Sequence, residues 1–324
     1  MIKRMLYAEA LADAIHISLA ADPKVLLIWG SIFGLTPHRK LSERFCLDFP
    51  DRIAYPPTAE LGFCGVGVGA AMAGARPIVP IGTGSFAFRA WDLIQHEAAV
   101  AHYMSNGAVK VPVVFHLLHG IRGGGAAQHS QSPQAMLWNC PGLEIVLPST
   151  PADAKGLFRS AIKSDNPTVI VDHSRLMDIE GDVPEGDYDI PLGKADVKRP
   201  GSDVTIVATS YQVHTALAAA DALANDRISA EVIDLRTLVP FDRETLFASI
   251  AKTGRLVAVD ECPLNCSIAS EVAAIVAEEG FHHLKAPIRR VTRLNVPVPF
   301  SAPLEERVSP TATRVVEAAK ATLA

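Results

Sequence analysis

An α/β architecture of two doubly wound domains is predicted by three features of the sequence. Short apolar runs rich in β-branched residues recur at positions 25–29, 77–81, 111–117, 143–147 and 168–171, without the apolar–polar alternation of half-exposed strands. Such runs suit parallel strands covered on both faces. Helical patterns fill 59–74, 87–103 and 151–163 between them. From 174 to 202 the texture turns to proline, glycine and aspartate with weak periodicity, and beyond it the alternation restarts. A linker is expected there, with domains at residues 1–185 and 186–324.

Individual elements carry their own signals. Ser149-Thr150-Pro151-Ala152-Asp153 starts a helix, with Thr150 as cap, Pro151 at the first helical position and Asp153 in the first turn. In the second half, strands are expected at 203–208, 229–234, 255–260 and 288–294, with helices at 211–224, 243–251 and 267–279. Connections long enough to hold a helix imply parallel crossovers.

Composition narrows the function. The chain has 324 residues, and 30 basic against 35 acidic residues give a formal net charge of -5, which argues against a protein that neutralises many phosphates of nucleic acid. Five scattered cysteines fit a reducing compartment better than a disulfide scaffold, and no histidine completes a zinc pattern around Cys262 and Cys266. The basic start is interrupted by Glu9 and Asp13, so no secretory leader is expected, and the most apolar early stretch, 25–35, is too short to span a membrane. A soluble, cytoplasmic protein is expected.

Three segments invite chemistry. The run from Gly62 to Gly74 contains a loose G-x-G-x-x-A, but it follows Tyr55-Pro56-Pro57-Thr58-Ala59-Glu60, which is no strand. A dinucleotide fingerprint needs a strand there. A helix of small residues, allowing close approach inside the domain or across a subunit contact, is the better reading. Glu60 beside that helix is either a carboxylate in apolar company, able to trade protons near neutrality, or an exposed first-turn acid favoured by the helix dipole. The segment from His116 to Pro133 continues an apolar strand into a glycine-dense loop, where α/β folds place ligands. His129 on it is a candidate proton shuttle or a structural histidine, and no G-x-S-x-G setting supports a hydrolase triad.

Together these residues resemble a known family. The match runs through Glu60 with Gly62-Phe63-x-Gly65-Val66-x-Val68-Gly69-Ala70-Ala71-Met72-Ala73-Gly74, Phe86 with Asp92, Tyr103-Met104-Ser105-x-Gly107, Gln128-His129-Ser130-Gln131, Pro141-Gly142-Leu143 and Pro148-Ser149-Thr150-Pro151. It continues through Val232-Ile233-Asp234-Leu235-Arg236-Thr237-Leu238, Thr253-Gly254-Arg255-Leu256-Val257 and Arg290-Val291-Thr292-Arg293-Leu294-x-Val296-Pro297. Over nearly the whole chain it is similar to the beta subunits of thiamine diphosphate-dependent 2-oxo acid dehydrogenases.

The resemblance implies a pyrimidine-binding domain followed by a transketolase C-terminal-like domain. It also implies an alpha subunit holding the diphosphate and its magnesium in an α2β2 assembly with a beta–beta contact, and a lipoyl acyltransferase core as acyl acceptor. Glu60 would bond the aminopyrimidine and activate the cofactor, with Phe86 stacking on it and Thr58 and Arg89 beside it. His129 would serve acyl transfer. Main-chain carbonyls of Val113, Ala161, Ile162, Ser164 and Asn166 would hold potassium.

Departures from the family fall at Trp29-Gly30-Ser31, at Tyr55-Pro56-Pro57-Thr58, at Pro80 for a glutamate, at Arg89 for a glutamine and at His116 for an arginine. They bear on which 2-oxo acid, or acetoin, is the substrate. The alternatives are half of a split transketolase, with His116, His119 and Arg122 meeting sugar phosphate, and a non-catalytic scaffold subunit.

Overall fold

A computed structural model describes residues 1–28, 32–33 and 37–324, so the departure at Trp29-Gly30-Ser31 lies outside the described residues. The chain forms two compact units, Met1–His119 with Met136–Leu192, and Gly120–Ala135 with Gly193–Ala324.

The first unit contains β1 (Ile2–Leu6), α1 (Tyr7–Ala21), β2 (Val25–Ile28), α2 (Ser42–Asp48), β3 (Ile53–Ala54), α3 (Glu60–Met72), β4 (Arg76–Thr83), α4 (Ala99–Met104) and β5 (Val114–His119). Two short helices follow, α5 (Ala126–His129) and α6 (Gln134–Trp138), then β6 (Glu144–Val146), α7 (Pro151–Lys163), β7 (Thr168–His173) and β8 (Glu180–Pro184). The main sheet of this unit runs β6-β7-β5-β4-β2-β3, parallel throughout. The expected cap forms, Thr150 Oγ1 accepting from the Asp153 N–H at 3.1 Å with Pro151 opening α7.

The second unit contains β9 (Asp196–Arg199), β10 (Val204–Ala208), α8 (Gln212–Asn225), β11 (Ala230–Asp234), β12 (Thr237–Val239), α9 (Arg243–Thr253), β13 (Leu256–Pro263), α10 (Ile268–Glu279), β14 (Arg289–Arg293), α11 (Ala302–Val308) and α12 (Ala312–Lys320). Its sheet runs β14-β13-β10-β11-β9, antiparallel only at the β9 edge. Alanines and aliphatics of α8 and α12 bury against β10, β11 and β13. Among the described residues no helix is long and apolar enough to cross a membrane.

Three expectations need correction, and two elements were not anticipated. The 174–202 stretch is not a bare linker: β8 pairs antiparallel with β1, and β9 edges the second sheet. The strand expected from 111 begins at Val114, because Pro112 has no N–H to give and the Val113 N–H turns back to the Val111 carbonyl. The helix expected over 87–103 is a 3-10 stretch (Gly84–Ala90), a π-helical stretch (Asp92–Ala98) and then α4. The strand β1 and helix α1 were not anticipated, although Ala8, Leu11, Ala14, Ile15 and Leu19 bury one face of α1 at helical spacing.

The glycines of α3 do different work. A Cβ on Gly67 would stand 2.4 Å from Val79 Cγ2 of β4, so this helix lies close on the sheet inside its unit. Gly69 meets nothing within 4 Å. Thermal unfolding should therefore separate two equal changes: Gly69→Ala is expected to stabilise by about 0.5–1 kcal/mol through helix propensity. Gly67→Ala is expected to destabilise, because an overpacking cost of about 1–3 kcal/mol exceeds that gain.

Candidate active site

Glu60 is the first residue of α3, reached from β3 across the Tyr55–Ala59 turn, and Phe86 and Arg89 lie on the 3-10 stretch that follows β4. Both segments thus leave the carboxyl ends of parallel strands, the edge at which α/β sheets bind ligands. Glu60 is 6% exposed, which excludes the solvent-facing first-turn acid. The Arg89 guanidinium stands 3.9 Å from Glu60 Oε2 and 5.9 Å from the Phe86 ring centroid, so the structure brings these three together. Arg89 itself is largely exposed, and its attraction to Glu60 is screened by solvent. One turn along α3, burial, and then the Glu60 charge, push the Cys64 thiol up to about 12, so it stays protonated and adds no competing anion. Thr58 sits exposed in the bend before the helix.

His129 ends α5, exposed, on the glycine-dense loop that belongs to the second unit. The chain reaches it through left-handed backbone at Gly123, Gly124 and Ala126, the last costly for a residue with a Cβ. Ser130 next to it is buried, and its hydroxyl has no partner among the described residues.

His116 has no access to a substrate. It is 0% exposed, its Nε2 lies 2.8 Å from Asp172 Oδ2, the Tyr7 hydroxyl donates to Asp172 Oδ1, and the Phe158 ring packs 6.0 Å away. Tyr7 opens α1 and Phe158 lies on α7, so this is a core network beneath those two helices. Pro80 is the register partner of His116 across β4 and β5. The two departures are therefore neighbours on adjacent strands, and His116 pairs with Asp172. His119, 2% exposed, is also withdrawn from solvent.

The carbonyls expected to face potassium all accept hydrogen bonds. Val113 O receives the Thr168 N–H at 2.9 Å, Ala161 O the Ser164 N–H at 3.2 Å and Asn166 O the Thr168 hydroxyl at 3.4 Å. Arg76 Nε donates to Ile162 O at 2.8 Å, and its Nη2 donates to Lys163 O and, at 2.8 Å, to Ser164 O. Asp165 takes both Arg76 and Lys110 and is held below the usual carboxylate range by hydrogen bonds to them. A guanidinium paired with Asp165 thus already engages the carbonyl end of α7. Nothing in the spacing of Arg76 announced this; its partners are more than 80 residues away.

Comparison with known proteins gives the family. Residues 3–178 match the transketolase pyrimidine binding domain and residues 193–315 the transketolase C-terminal domain. The chain is 42% identical over 313 residues to the pyruvate dehydrogenase E1 component subunit beta of Rickettsia felis, covering 96% of each. It is 38% identical over 327 residues to the acetoin:2,6-dichlorophenolindophenol oxidoreductase subunit beta of Bacillus subtilis, covering 95% of this chain and 94% of the relative. A solved structure described as a split gene transketolase, inactive beta4 tetramer, superposes with a TM-score of 0.81 at 27% identity over 98% of each chain. With both domain families in order and such identity over nearly full length, the chain belongs to the transketolase-like beta subunits of the 2-oxo acid dehydrogenases.

Proposed function

We propose that this chain is the half of a thiamine diphosphate-dependent 2-oxo acid (or acetoin) dehydrogenase that activates the cofactor, paired with an alpha subunit that holds the diphosphate and magnesium in an α2β2 enzyme. The acyl group passes to the lipoyl arm of an acyltransferase core. The observation that carries the reading is the buried Glu60 carboxylate at the carboxyl edge of the first sheet, joined to Phe86 through Arg89, which approaches both. When bound, thiamine diphosphate supplies the nucleophilic carbon that adds to a 2-oxo group and holds the electrons left by decarboxylation. The donor set fits it: Glu60 holds the proton exchanged with the pyrimidine ring nitrogen, and Phe86 offers a flat apolar face to orient the ring without a polar penalty. His129 passes a proton or steadies charge as the acyl group leaves for lipoamide.

The named relatives support this reading over the split transketolase, whose representative is the more distant at 27% identity. Burial of His116 and His119 also removes two of the three groups expected to meet a sugar phosphate. Retention of Glu60, Phe86 and His129 speaks against an idle scaffold. The tetramer of beta chains in that distant neighbour supports a beta–beta contact. Reconstitution with the alpha subunit should give lipoamide-dependent turnover of pyruvate, a branched-chain 2-oxo acid or acetoin. Transfer between sugar phosphates instead would refute the reading.

Arg76 takes the place of potassium in this reading. Arg76→Met should destabilise by about 2–4 kcal/mol, as loss of several hydrogen bonds from a charged donor does. The melting temperature of the wild-type chain should differ by less than about 1 °C between potassium and tetramethylammonium at equal ionic strength. A potassium-specific rise of several degrees would return the ion to the site.

A further inference from the structure

We propose that Glu261 and Glu305 are positioning residues for acyl transfer, two buried carboxylates that hold the His129 loop by its backbone N–H groups; this rests on the role of His129 proposed above. The Ile121 N–H donates to Glu261 Oε1 at 2.7 Å, and the Gly124 N–H donates to Glu305 Oε1 at 2.9 Å. The loop is tied again at its far end, where the Cys262 thiol donates to the Ser132 carbonyl at 3.3 Å. Ile121 packs with Val298 and Val308, on either side of the segment that carries Glu305.

Both carboxylates are nearly sealed, Glu261 at 4% exposure and Glu305 at 1%. Burying an acid is costly unless it makes strong bonds, and while the buried Ile121 amide needs a protein acceptor, the half-open Gly124 amide would be satisfied as well by water. Glu305, spent on an amide that water could serve, therefore does more than fill hydrogen-bonding capacity. Glu261 is itself fixed, its Oε2 accepting from Gln212 Nε2 at 2.8 Å. Glu305 faces Arg122, whose guanidinium loses proton affinity through burial and regains part of it from Glu305.

The ties fall where the loop most needs them. Gly123 and Gly124 are left-handed, and a glycine pair loses much freedom when ordered. Ala126, also left-handed, opens the turn that ends in His129, so the setting of that turn depends on where Gly124 is fixed. A Cβ on Gly125 would fall 2.3 Å from Ser130 Oγ, so a side chain there would displace Ser130. Holding the backbone in advance places the imidazole before the second substrate arrives, the kind of pre-organisation that catalysis rewards.

The test uses the full chain with its alpha subunit. Hydrogen exchange over residues 120–135 is measured beside the lipoamide-dependent rate and the rate of decarboxylation with an artificial electron acceptor. Glu305→Ala should speed exchange in that segment at least tenfold, leave α8 and α10 unchanged, and lower the lipoamide rate at least tenfold more than decarboxylation. Glu305→Gln retains an oxygen for Gly124 and should restore both. Glu261→Gln should be tolerated as well, because the Gln212 amide can turn its buried, unpartnered Oε1 toward the new NH2 group. If Glu305→Ala does not fold, Glu261→Ala frees the loop at Ile121 and must give the same pattern. Unchanged exchange in the 120–135 segment overturns the proposal. Faster exchange with the two rates unsplit also overturns it, provided His129→Ala does split them; if His129→Ala splits nothing, the role of His129 falls first and the proposal with it.

Discussion

Glu60→Gln is expected to lower turnover of the reconstituted enzyme by at least about 100-fold, the loss typical of removing a general acid or base, which corresponds to about 2.7 kcal/mol of barrier. The substitution keeps shape in a position that is 6% exposed and removes only the capacity to exchange a proton. Stability should change little. The ion pair broken is a 3.9 Å contact to an arginine that is 72% exposed, and such pairs are worth at most about 1 kcal/mol. The favourable placement of the charge at the start of α3 adds a similar small amount. Folding and assembly with the alpha subunit should therefore survive, and turnover within a few-fold of wild type in the assembled enzyme would contradict the role given to Glu60.

His129→Ala is expected to reduce lipoamide-dependent turnover by at least about 100-fold while decarboxylation measured with an artificial acceptor stays within about tenfold of wild type. The imidazole is exposed at the end of α5, where an incoming group can reach it. Its loss should therefore register in the step that uses the second substrate. Equal loss in both assays would place His129 before the two reactions diverge. No loss in either would make it a surface histidine.

Much of the fold was legible because its signals are local. The β/α alternation, the Thr150 cap and the helices at α3, α7, α8 and α10 follow from residues within a turn or two of each other. What escaped depends on partners far along the chain. The strand β1 becomes regular only against β8, some 180 residues later, and Arg76 finds carbonyls at the end of α7. The site divides in the same way. Glu60, Phe86 and His129 stood out by motif, but the burial of Glu60 did not, since Leu61 and Val66 beside it face outward and only the packed fold shows which side of α3 is covered. The departure at His116 suggested a changed substrate pocket until Asp172 and Tyr7 supplied a core partner for it. Glu261 and Glu305 carry no sequence signal toward the His129 loop, because what they bind is backbone.

Activation of thiamine diphosphate through Glu60 would be read from the exchange of the thiazolium C2 proton for deuterium in the cofactor bound to the reconstituted α2β2 enzyme. NMR after acid quench follows it with no substrate present, so neither substrate choice nor acyl transfer enters the result. The wild-type assembly is expected to exchange that proton far faster than free cofactor, and Glu60→Gln to lose at least about 100-fold of the rate while binding the cofactor as tightly. Exchange in Glu60→Gln as fast as in wild type would contradict the account.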